Sequence, residues 1–475
     1  MTVVTPLERH RHQRYSSSGE IAEYLSTLAA RAPGVARLET IGYSARGRPL
    51  LALICDVRPR ASRKLRVMMI GSQHGASEAA GCEALLLLAR ELLVGDLRSM
   101  LDDLGLVLIP NANPDGFDAD SSRNGNDINI NRDYVLLTQP ESCALDAAVI
   151  RFAPHVILDA HESASYKRNT LGRAGYLTDF EAQFDVANTP AIPAISRKYL
   201  QHRLLPALLC GVAQRGLRAQ RYIREITALG QPLTHGGFTI RRLRNKAGIR
   251  GALTVLLETP MEPKAGAYAT YRNIGMRVEK QRLCMQVFLQ CLRVRAADIC
   301  SVYASAKDQP APPTLALNGR YVLNADSPEI TVRLRERQTS SLVTMNFPDC
   351  RGMIAEDIVA IPKAYIVNAH TAAFAALLAR QRIEFEVIRQ AERRRLASRV
   401  FGVGATPDEI CAASEYWEGD VAVVAGALRV PMAQTSARLI PLLLDARAAS
   451  SVSRYPKFSR LIESGRPFFI YSETV

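Results

Sequence analysis

The chain has 475 residues, of which 48% are apolar and 22% charged, as in an ordinary globular protein, and its length predicts two domains. No apolar run reaches the roughly 18 residues that a helix needs to cross a bilayer, which argues against an integral membrane protein. The net charge of +14 comes with no compact basic run, so we expect neither nucleic acid nor a membrane as a partner.

The first 300 residues alternate strand-like and helix-like runs. Met1–Arg14 is polar and basic and lacks the apolar centre of a signal peptide, so we expect a cytoplasmic protein. Ser17 to Glu20 fits a capping box, which predicts a helix to about Ala30. Six strands are predicted, at Val35–Ile41, Leu50–Val57, Leu65–Ile70, Leu104–Ile109, His155–Asp159 and Leu253–Leu257. Further helical segments are predicted at Gly81–Val94, Ala194–Gly216 and Tyr271–Ala296.

This alternation predicts an α/β fold with a mixed, mostly parallel central sheet and helices on both faces. Asp308–Pro313 has the composition of a linker, which divides the chain into residues 1–306 and 314–475. The second part has strand-like runs at Ile330–Leu334, Ala364–Val367, Phe385–Ile388 and Val421–Val424 and a helix-like run at Thr371–Arg380. It has no cluster of His, Cys and carboxylates, so we predict a small α/β or α+β accessory domain of unknown role.

Polar residues follow three of the predicted strands, where open α/β sheets build their sites. His74 and Glu78 come after the third strand, His161 after the fifth and Glu258 after the sixth. Taken singly, each of these residues is typical of an ordinary turn or helix cap. Together they indicate a zinc site, because zinc takes imidazole and carboxylate ligands and a catalytic site needs three from the protein.

Several short motifs occur in a fixed order along residues 15–300. They are Gln73-His74-Gly75 with Glu78, Gly81-Cys82-Glu83-Ala84, Asn113-Pro114-Asp115-Gly116-Phe117, Arg123, Asn131-Arg132, Asp159-Ala160-His161-Glu162 and Leu257-Glu258-Thr259. In this order the sequence resembles the zinc carboxypeptidase family, the carboxypeptidase A-like metallopeptidases. Pro362–Val367 and Val430–Met432 resemble the C-terminal extension of some bacterial members.

The resemblance implies a zinc metallocarboxypeptidase that cleaves the C-terminal peptide bond of a peptide. It implies one Zn²⁺ per chain, held by His74, Glu78 and His161. Glu258 would be the general base that takes a proton from the attacking water and passes it to the leaving amine. Arg123 would stabilise the oxyanion of the tetrahedral intermediate.

The resemblance also assigns the binding of the substrate's terminal carboxylate. Asn131 and Arg132 would hold this group, and the Arg132 guanidinium is able to bind it through two parallel hydrogen bonds. Asp159 is a candidate to hydrogen-bond a ligand histidine. The expected partner is therefore a peptide or an acylated amino acid with a free carboxylate.

The sequence departs from the family pattern at two places that bear on the site. Three residues instead of two separate His74 from Glu78, and we place the additional residue in the turn. The family often has a Tyr some twenty residues before the base, and the corresponding stretch, Leu233–Phe238, has none. His235 either substitutes for this Tyr or is an ordinary loop histidine, and the second interpretation is the simpler one.

Two other functions stay open at this stage. An N-acyl amino acid deacylase of the aspartoacylase type shares the metal ligands and the base, and a catalytically inactive binding protein would share the fold alone. The basic residues Arg241, Arg242, Arg244 and Lys246 are expected near the side-chain pocket of the site. Charge complementarity then predicts a preference for acidic substrates.

Overall fold

The computed structural model of the protein describes residues 3–56, 64–164, 171–261, 273–309, 312–401, 414–463 and 465–473. Parts of three predicted segments, at residue 57, residues 271–272 and residues 310–311, lie outside the described residues. No helix within the described ranges is both long and apolar enough to span a bilayer.

The first part of the chain contains nine strands and eleven α-helices among the described residues. The strands are β1 (Ala36–Tyr43), β2 (Pro49–Cys55), β3 (Leu65–Gly71), β4 (Leu104–Ile109), β5 (Val156–Ala164), β6 (Tyr176–Thr178), β7 (Ala182–Val186), β8 (Ala219–Arg221) and β9 (Leu253–Met261). The helices are α1 (Pro6–Arg9), α2 (Ser18–Arg31), α3 (Ala80–Val94), α4 (Met100–Asp103), α5 (Pro114–Asp118), α6 (Pro140–Phe152), α7 (Ala194–Tyr199), α8 (Leu205–Gln214), α9 (Leu243–Ile249), α10 (Ile274–Val294) and α11 (Ala296–Asp308).

Eight of these strands form one sheet in the order β1-β2-β4-β3-β5-β9-β7-β8. The four central strands β4, β3, β5 and β9 are parallel, whereas β1, β2 and β7 join antiparallel. Alternate residues of β3 enter two cores: Val67 and Met69 face α3, while Met68 and Ile70 face α6 and α9. The prediction of a mixed, mostly parallel sheet covered by helices on both faces is confirmed.

Two central strands run further than predicted. The predicted strands ended at Asp159 and Leu257, but β5 continues to Ala164 and β9 to Met261. In this extension β5 and β9 pair in parallel with His161 opposite Glu258. The apolar pattern stops early because the side chains become polar, although backbone pairing continues. His161 and Glu258 therefore lie side by side on strands rather than in the loops that follow.

The second part of the chain consists mainly of antiparallel strands. The strands are β10 (Thr314–Val322), β11 (Glu329–Glu336), β12 (Leu342–Pro348), β13 (Gly352–Ala360), β14 (Ala364–Val367), β15 (Glu386–Val387), β16 (Glu392–Phe401), β17 (Ser414–Val423), β18 (Leu428–Pro431) and β19 (Ile470–Glu473). The helices are α12 (Thr371–Gln381), α13 (Ile440–Leu444) and α14 (Pro456–Ser459). Six strands form an antiparallel sheet in the order β15-β18-β14-β19-β16-β17.

The second part shares a sheet and a core with the first. Strand β11 pairs with β6 of the first part, with Leu334 opposite Thr178, and with β12 on its other side. The side chains of this three-stranded sheet pack against the segment between β8 and β9. The buried residues of this contact are Leu171, Ile223, Ile226, Leu233, Val332, Leu334 and Phe347. The first predicted domain ends at residue 306, within α11, and the second begins at the start of β10, but the two parts are packed against each other.

Replacing Phe347 tests how far this contact stabilises the whole chain. Its side chain is 1% exposed, so Phe347→Ala is expected to lower the free energy of unfolding by about 3–5 kcal/mol. Leu342→Ala on the same strand is the control, because Leu342 is 50% exposed and its loss leaves no cavity. Urea unfolding measures the free energy of unfolding of both variants. An equal decrease in the two variants would contradict the packing of Phe347 described here.

Candidate metal centre

The three predicted metal ligands converge at the carboxyl edge of the central sheet. The Glu78 carboxylate is shared: Oε1 lies 2.6 Å from Nδ1 of His74, and Oε2 lies 2.7 Å from Nδ1 of His161. One ligand atom from each of the three residues lies within 4.8 Å of the others. Two imidazoles and one carboxylate form a donor set that suits Zn²⁺.

The turn after β3 accommodates the additional residue between His74 and Glu78. Residues Gly75–Glu78 form a single turn of 3₁₀ helix, which returns Glu78 to the His74 side chain. Gly75 has φ of +52°, and a Cβ there would overlap the carbonyl oxygen of Ser121 and the backbone of Gly116. A glycine is required at this point, because the turn packs directly on the backbone beside α5.

Asp159 holds the ring of His161 in place. Its Oδ1 lies 3.0 Å from Nε2 of His161, on the side of the ring away from Glu78. The same oxygen accepts a hydrogen bond of 2.7 Å from Nε2 of Gln73, and the Gln73 Oε1 accepts one from the Tyr134 hydroxyl. The contact between Asp159 and a ligand histidine, suggested by the sequence, is present, and it directs Nδ1 of His161 toward Glu78.

The charges of this cluster favour a cation. Burial alone would raise the pKa of Glu78, but His74 and His161 lower it below its usual value. Burial alone would lower the pKa of His161, but Asp159 and Glu78 raise it well above its usual value. A group of side chains that stabilises a positive charge in a buried position is electrostatically fit to hold a divalent ion.

Glu258 lies beside this cluster as a second buried carboxyl group. Burial raises its pKa; the nearby Glu78 and Asp159 add to the rise, and His161 opposes it. A carboxyl group whose pKa is raised accepts a proton more readily at neutral pH than an exposed carboxylate does. The position and electrostatics of Glu258 thus suit proton transfer.

A cavity of about 540 Å³ opens next to the cluster. Glu78, Glu258 and Arg132 line it, together with the segment from Tyr222 to Thr234. Arg132 donates one hydrogen bond of 2.8 Å to the carbonyl oxygen of Asn131. Nδ2 of Asn131 lies 3.4 Å from Nε2 of His161. The structure therefore brings both predicted carboxylate-binding residues close to the predicted metal ligands.

Arg123 is not among the residues that line this cavity. Its side chain is 55% exposed, and its guanidinium donates a hydrogen bond of 2.8 Å to the carbonyl oxygen of Asp127. The turn at residues 124–128, closed by the Asn124 side chain, presents that carbonyl group to Arg123. In this structure the Arg123 guanidinium is therefore bound to its own loop, and its role beside a metal stays a prediction.

The sequence did not indicate Tyr222, and it left the role of His235 open. Tyr222 lines the cavity, and burial together with the charge of Glu258 raises the pKa of its hydroxyl group. His235 is 1% exposed, pairs with Asp185 at 3.3 Å and donates to the carbonyl oxygen of Arg351 at 2.6 Å. His235 is thus a buried structural residue. No spacing rule could have found Tyr222, because it enters the cavity through the irregular segment after β8.

Helix α10 is hydrogen-bonded to β5 and β9, the two strands that carry His161 and Glu258. Gln281 donates hydrogen bonds to the carbonyl oxygen of His161 at 2.7 Å and to Oγ1 of Thr259 at 2.8 Å. One turn earlier, Arg277 binds both carboxylate oxygens of Glu162, and these two side chains are almost completely buried. Glu162 also donates its backbone N–H to Oε2 of Glu78. The helix thus fixes the positions of His161 and Glu258.

A partly buried His–Glu–His cluster beside a further carboxyl group and a cavity is an arrangement that could hold a metal ion next to a bound ligand. Residues 21–143 match the zinc carboxypeptidase family, which confirms the resemblance seen in the motifs. Carboxypeptidase 2 of Trichophyton rubrum is 27% identical over 219 residues, which cover 44% of this chain and 39% of that protein. Human carboxypeptidase Z is 30% identical over 150 residues, which cover 27% of this chain and 22% of that protein.

The chain therefore spans well under half of the length of these curated relatives. Among solved structures, a metallo-carboxypeptidase from Burkholderia cenocepacia has 17% sequence identity and a TM-score of 0.47. The likeness covers 60% of this chain and 71% of that one.

The buried pair of Arg277 and Glu162 is open to a direct test. Arg277→Met leaves the Glu162 carboxylate buried without its cation, so the free energy of unfolding is expected to fall by about 3–5 kcal/mol. The half-exposed pair of Arg293 and Asp103 is the control, and Asp103→Asn is expected to change stability by less than about 1 kcal/mol. Calorimetry on both variants measures the effects. If Arg277→Met lowered the free energy of unfolding as little as Asp103→Asn, the ion pair of Arg277 and Glu162 would not be what holds the strands in place.

Proposed function

We propose that the protein is a zinc-dependent metallocarboxypeptidase that hydrolyses the C-terminal peptide bond of a peptide. The observation that carries the proposal is the convergence of His74, Glu78 and His161 at a cavity that also contains Glu258 and Arg132. The match to the zinc carboxypeptidase family and the carboxypeptidase names of similar proteins support it.

The metal would be held by His74, Glu78 and His161. When bound, Zn²⁺ would polarise the substrate carbonyl group and lower the pKa of water from about 15.7 towards about 7. Asp159 would keep the His161 ring oriented by accepting its Nε2–H. The expected stoichiometry is one zinc per chain.

Glu258 would move the proton during the reaction. Its carboxylate would take a proton from the attacking water and then give it to the nitrogen of the leaving amine. The partial burial of Glu258 in the cavity wall supports this role, because its carboxylate is less well solvated than an exposed one and accepts a proton more readily. The parallel pairing of β5 and β9 keeps this group next to the ligand His161.

Arg132 and Asn131 would bind the terminal carboxylate of the substrate. Arg132 lines the cavity and donates its hydrogen bond to a carbonyl group, and no carboxylate among the described residues forms an ion pair with it. This charge would hold the end of the chain at a fixed distance from the metal, which sets cleavage at the last peptide bond. Arg123 is given no step in this proposal, because its half-exposed guanidinium donates to the carbonyl oxygen of Asp127 in this structure.

Substitution of Glu258 tests the proton-transfer role. Glu258→Gln is expected to lower kcat about 10²- to 10⁴-fold while zinc remains bound, because the amide cannot accept the proton. Glu279→Gln, at an exposed position on α10, is the control and keeps activity. Hydrolysis of blocked dipeptides and of N-acyl amino acids is measured in parallel. Full activity of the Glu258→Gln enzyme would exclude Glu258 as the base, and faster hydrolysis of N-acyl amino acids would indicate a deacylase.

Removal of the metal ion tests the ligand set. We expect about one zinc per chain in the purified protein. Zinc at 100 times its dissociation constant is expected to stabilise the chelator-treated protein by about 2.7 kcal/mol. His161→Ala should abolish both the bound zinc and the stabilisation by added zinc, whereas substitution of the exposed His202 by Ala should leave both unchanged. Elemental analysis measures the zinc content, and thermal unfolding measures the stabilisation. Unchanged zinc binding by the His161→Ala protein would show that the ion is held elsewhere.

A further inference from the structure

Two arginines of one short run have opposite surroundings. Arg244 is 3% exposed, and its guanidinium pairs with Asp185 at 2.9 Å. Arg242 lines the cavity beside Glu258, and no carboxylate among the described residues pairs with it. The Gly236–Gly237 pair makes room for both, since a Cβ at Gly236 would overlap Arg244 and one at Gly237 would overlap Arg242.

The sequence predicted that four basic residues lie near the side-chain pocket, but only Arg242 lines the cavity. The other three have partners elsewhere: Arg244 pairs with Asp185, Lys246 pairs with Asp146 at 3.0 Å, and the Arg241 guanidinium lies 5.9 Å from the ring centre of Tyr455. The sequence could not distinguish Arg242 from the other three residues, because the partners of those three come from distant parts of the chain. Of these four residues, Arg242 is therefore the one that lines the cavity without a carboxylate partner among the described residues.

Two other arginines, Arg132 and the exposed Arg224, line the same cavity as Arg242. The cavity is also lined by Glu78, Glu162, Glu225 and Glu258, and no ion pair within the described residues joins any of these to Arg242. Burial lowers the pKa of Arg242 to about 10, and the charges of Arg132, Arg244 and Arg224 contribute to this decrease. Burying like charges together is unfavourable unless an anion joins them. A single terminal carboxylate on Arg132 leaves Arg242 without an anion.

We infer that the C-terminal residue of the substrate carries a second carboxylate, which Arg242 binds while Arg132 binds the terminal carboxylate. Aspartate or glutamate at the C-terminus has this chemistry. The inference rests on the proposed carboxypeptidase function and specifies its substrate class. Arg242 would donate charge-assisted hydrogen bonds to the side-chain carboxylate, with Arg224 adding positive charge at the rim.

The test compares blocked dipeptides that end in Glu or Gln, which have nearly the same shape and differ in charge. The zinc-loaded protein is expected to show a higher kcat/KM for Glu. Arg242→Met should lower kcat/KM for the Glu peptide about 10- to 100-fold, the size expected for lost charge-assisted hydrogen bonds, and leave the Gln peptide almost unchanged. Arg241→Met is the matched control and should keep the preference, because Arg241 packs against Tyr455 outside the cavity lining.

A second variant gives an independent test in case the Arg242→Met protein does not fold. Gly237→Ala displaces the guanidinium of Arg242 without removing it and should also reduce the preference for Glu. Equal losses for the Glu and Gln peptides in both variants would overturn the inference, because Arg242 would then bind only the terminal carboxylate. Equal kcat/KM of the unmodified protein for the two peptides would overturn it as well.

Binding measurements separate this inference from the proposed activity. The zinc-loaded Glu258→Gln protein is titrated calorimetrically with the same two peptides. Tighter binding of the Glu peptide, lost when Arg242→Met is added, supports the acidic ligand even if no peptide is hydrolysed. Absence of hydrolysis with every peptide by the unmodified protein would overturn the carboxypeptidase proposal, whereas equal binding of the two peptides would overturn the acidic substrate class.

Discussion

The parallel pairing of β5 with β9 is the constraint on which the site depends. It places His161 opposite Glu258, so the predicted metal ligand and the predicted proton-transfer group stand on adjacent strands. A slip of one residue would turn one of them to the other face of the sheet. The hydrogen bonds from Gln281 to the carbonyl of His161 and to Thr259 hold this register. Glu78 then reaches the site from the end of the neighbouring strand β3.

Local sequence features predict the central strands well and their polar ends poorly. Strand β4 has the predicted bounds because its apolar run ends at Pro110. The ends of β5 and β9 depend on pairing between segments almost a hundred residues apart, which no local pattern contains. The sequence predicted the three residues of the His–Glu–His cluster because they follow predicted strands in a family order. It could not predict the hydrogen bond from Arg123 to the carbonyl oxygen of Asp127, because motif order contains no information on such a contact.

The cavity is lined by groups of both charges. Glu78, Glu162, Glu225 and Glu258 contribute carboxyl groups to it, and Arg132, Arg224 and Arg242 contribute guanidinium groups. A divalent ion held by the His–Glu–His cluster would offset the negative charge of Glu78, and the guanidinium groups would still attract anions. A substrate with a terminal carboxylate would therefore place that group near the arginines, because a position next to Glu258 brings two negative charges together.

The part of the chain beyond residue 314 is hydrogen-bonded to the segment that precedes Arg242. Leu233 donates its N–H to the carbonyl of Pro348 at 2.9 Å and accepts a hydrogen bond from Cys350 N at 3.0 Å. The Tyr321 hydroxyl donates to the carbonyl oxygen of Gly236, the residue that makes room for Arg244. Because residues of this segment line the cavity, the second part of the chain helps to hold the cavity wall in place.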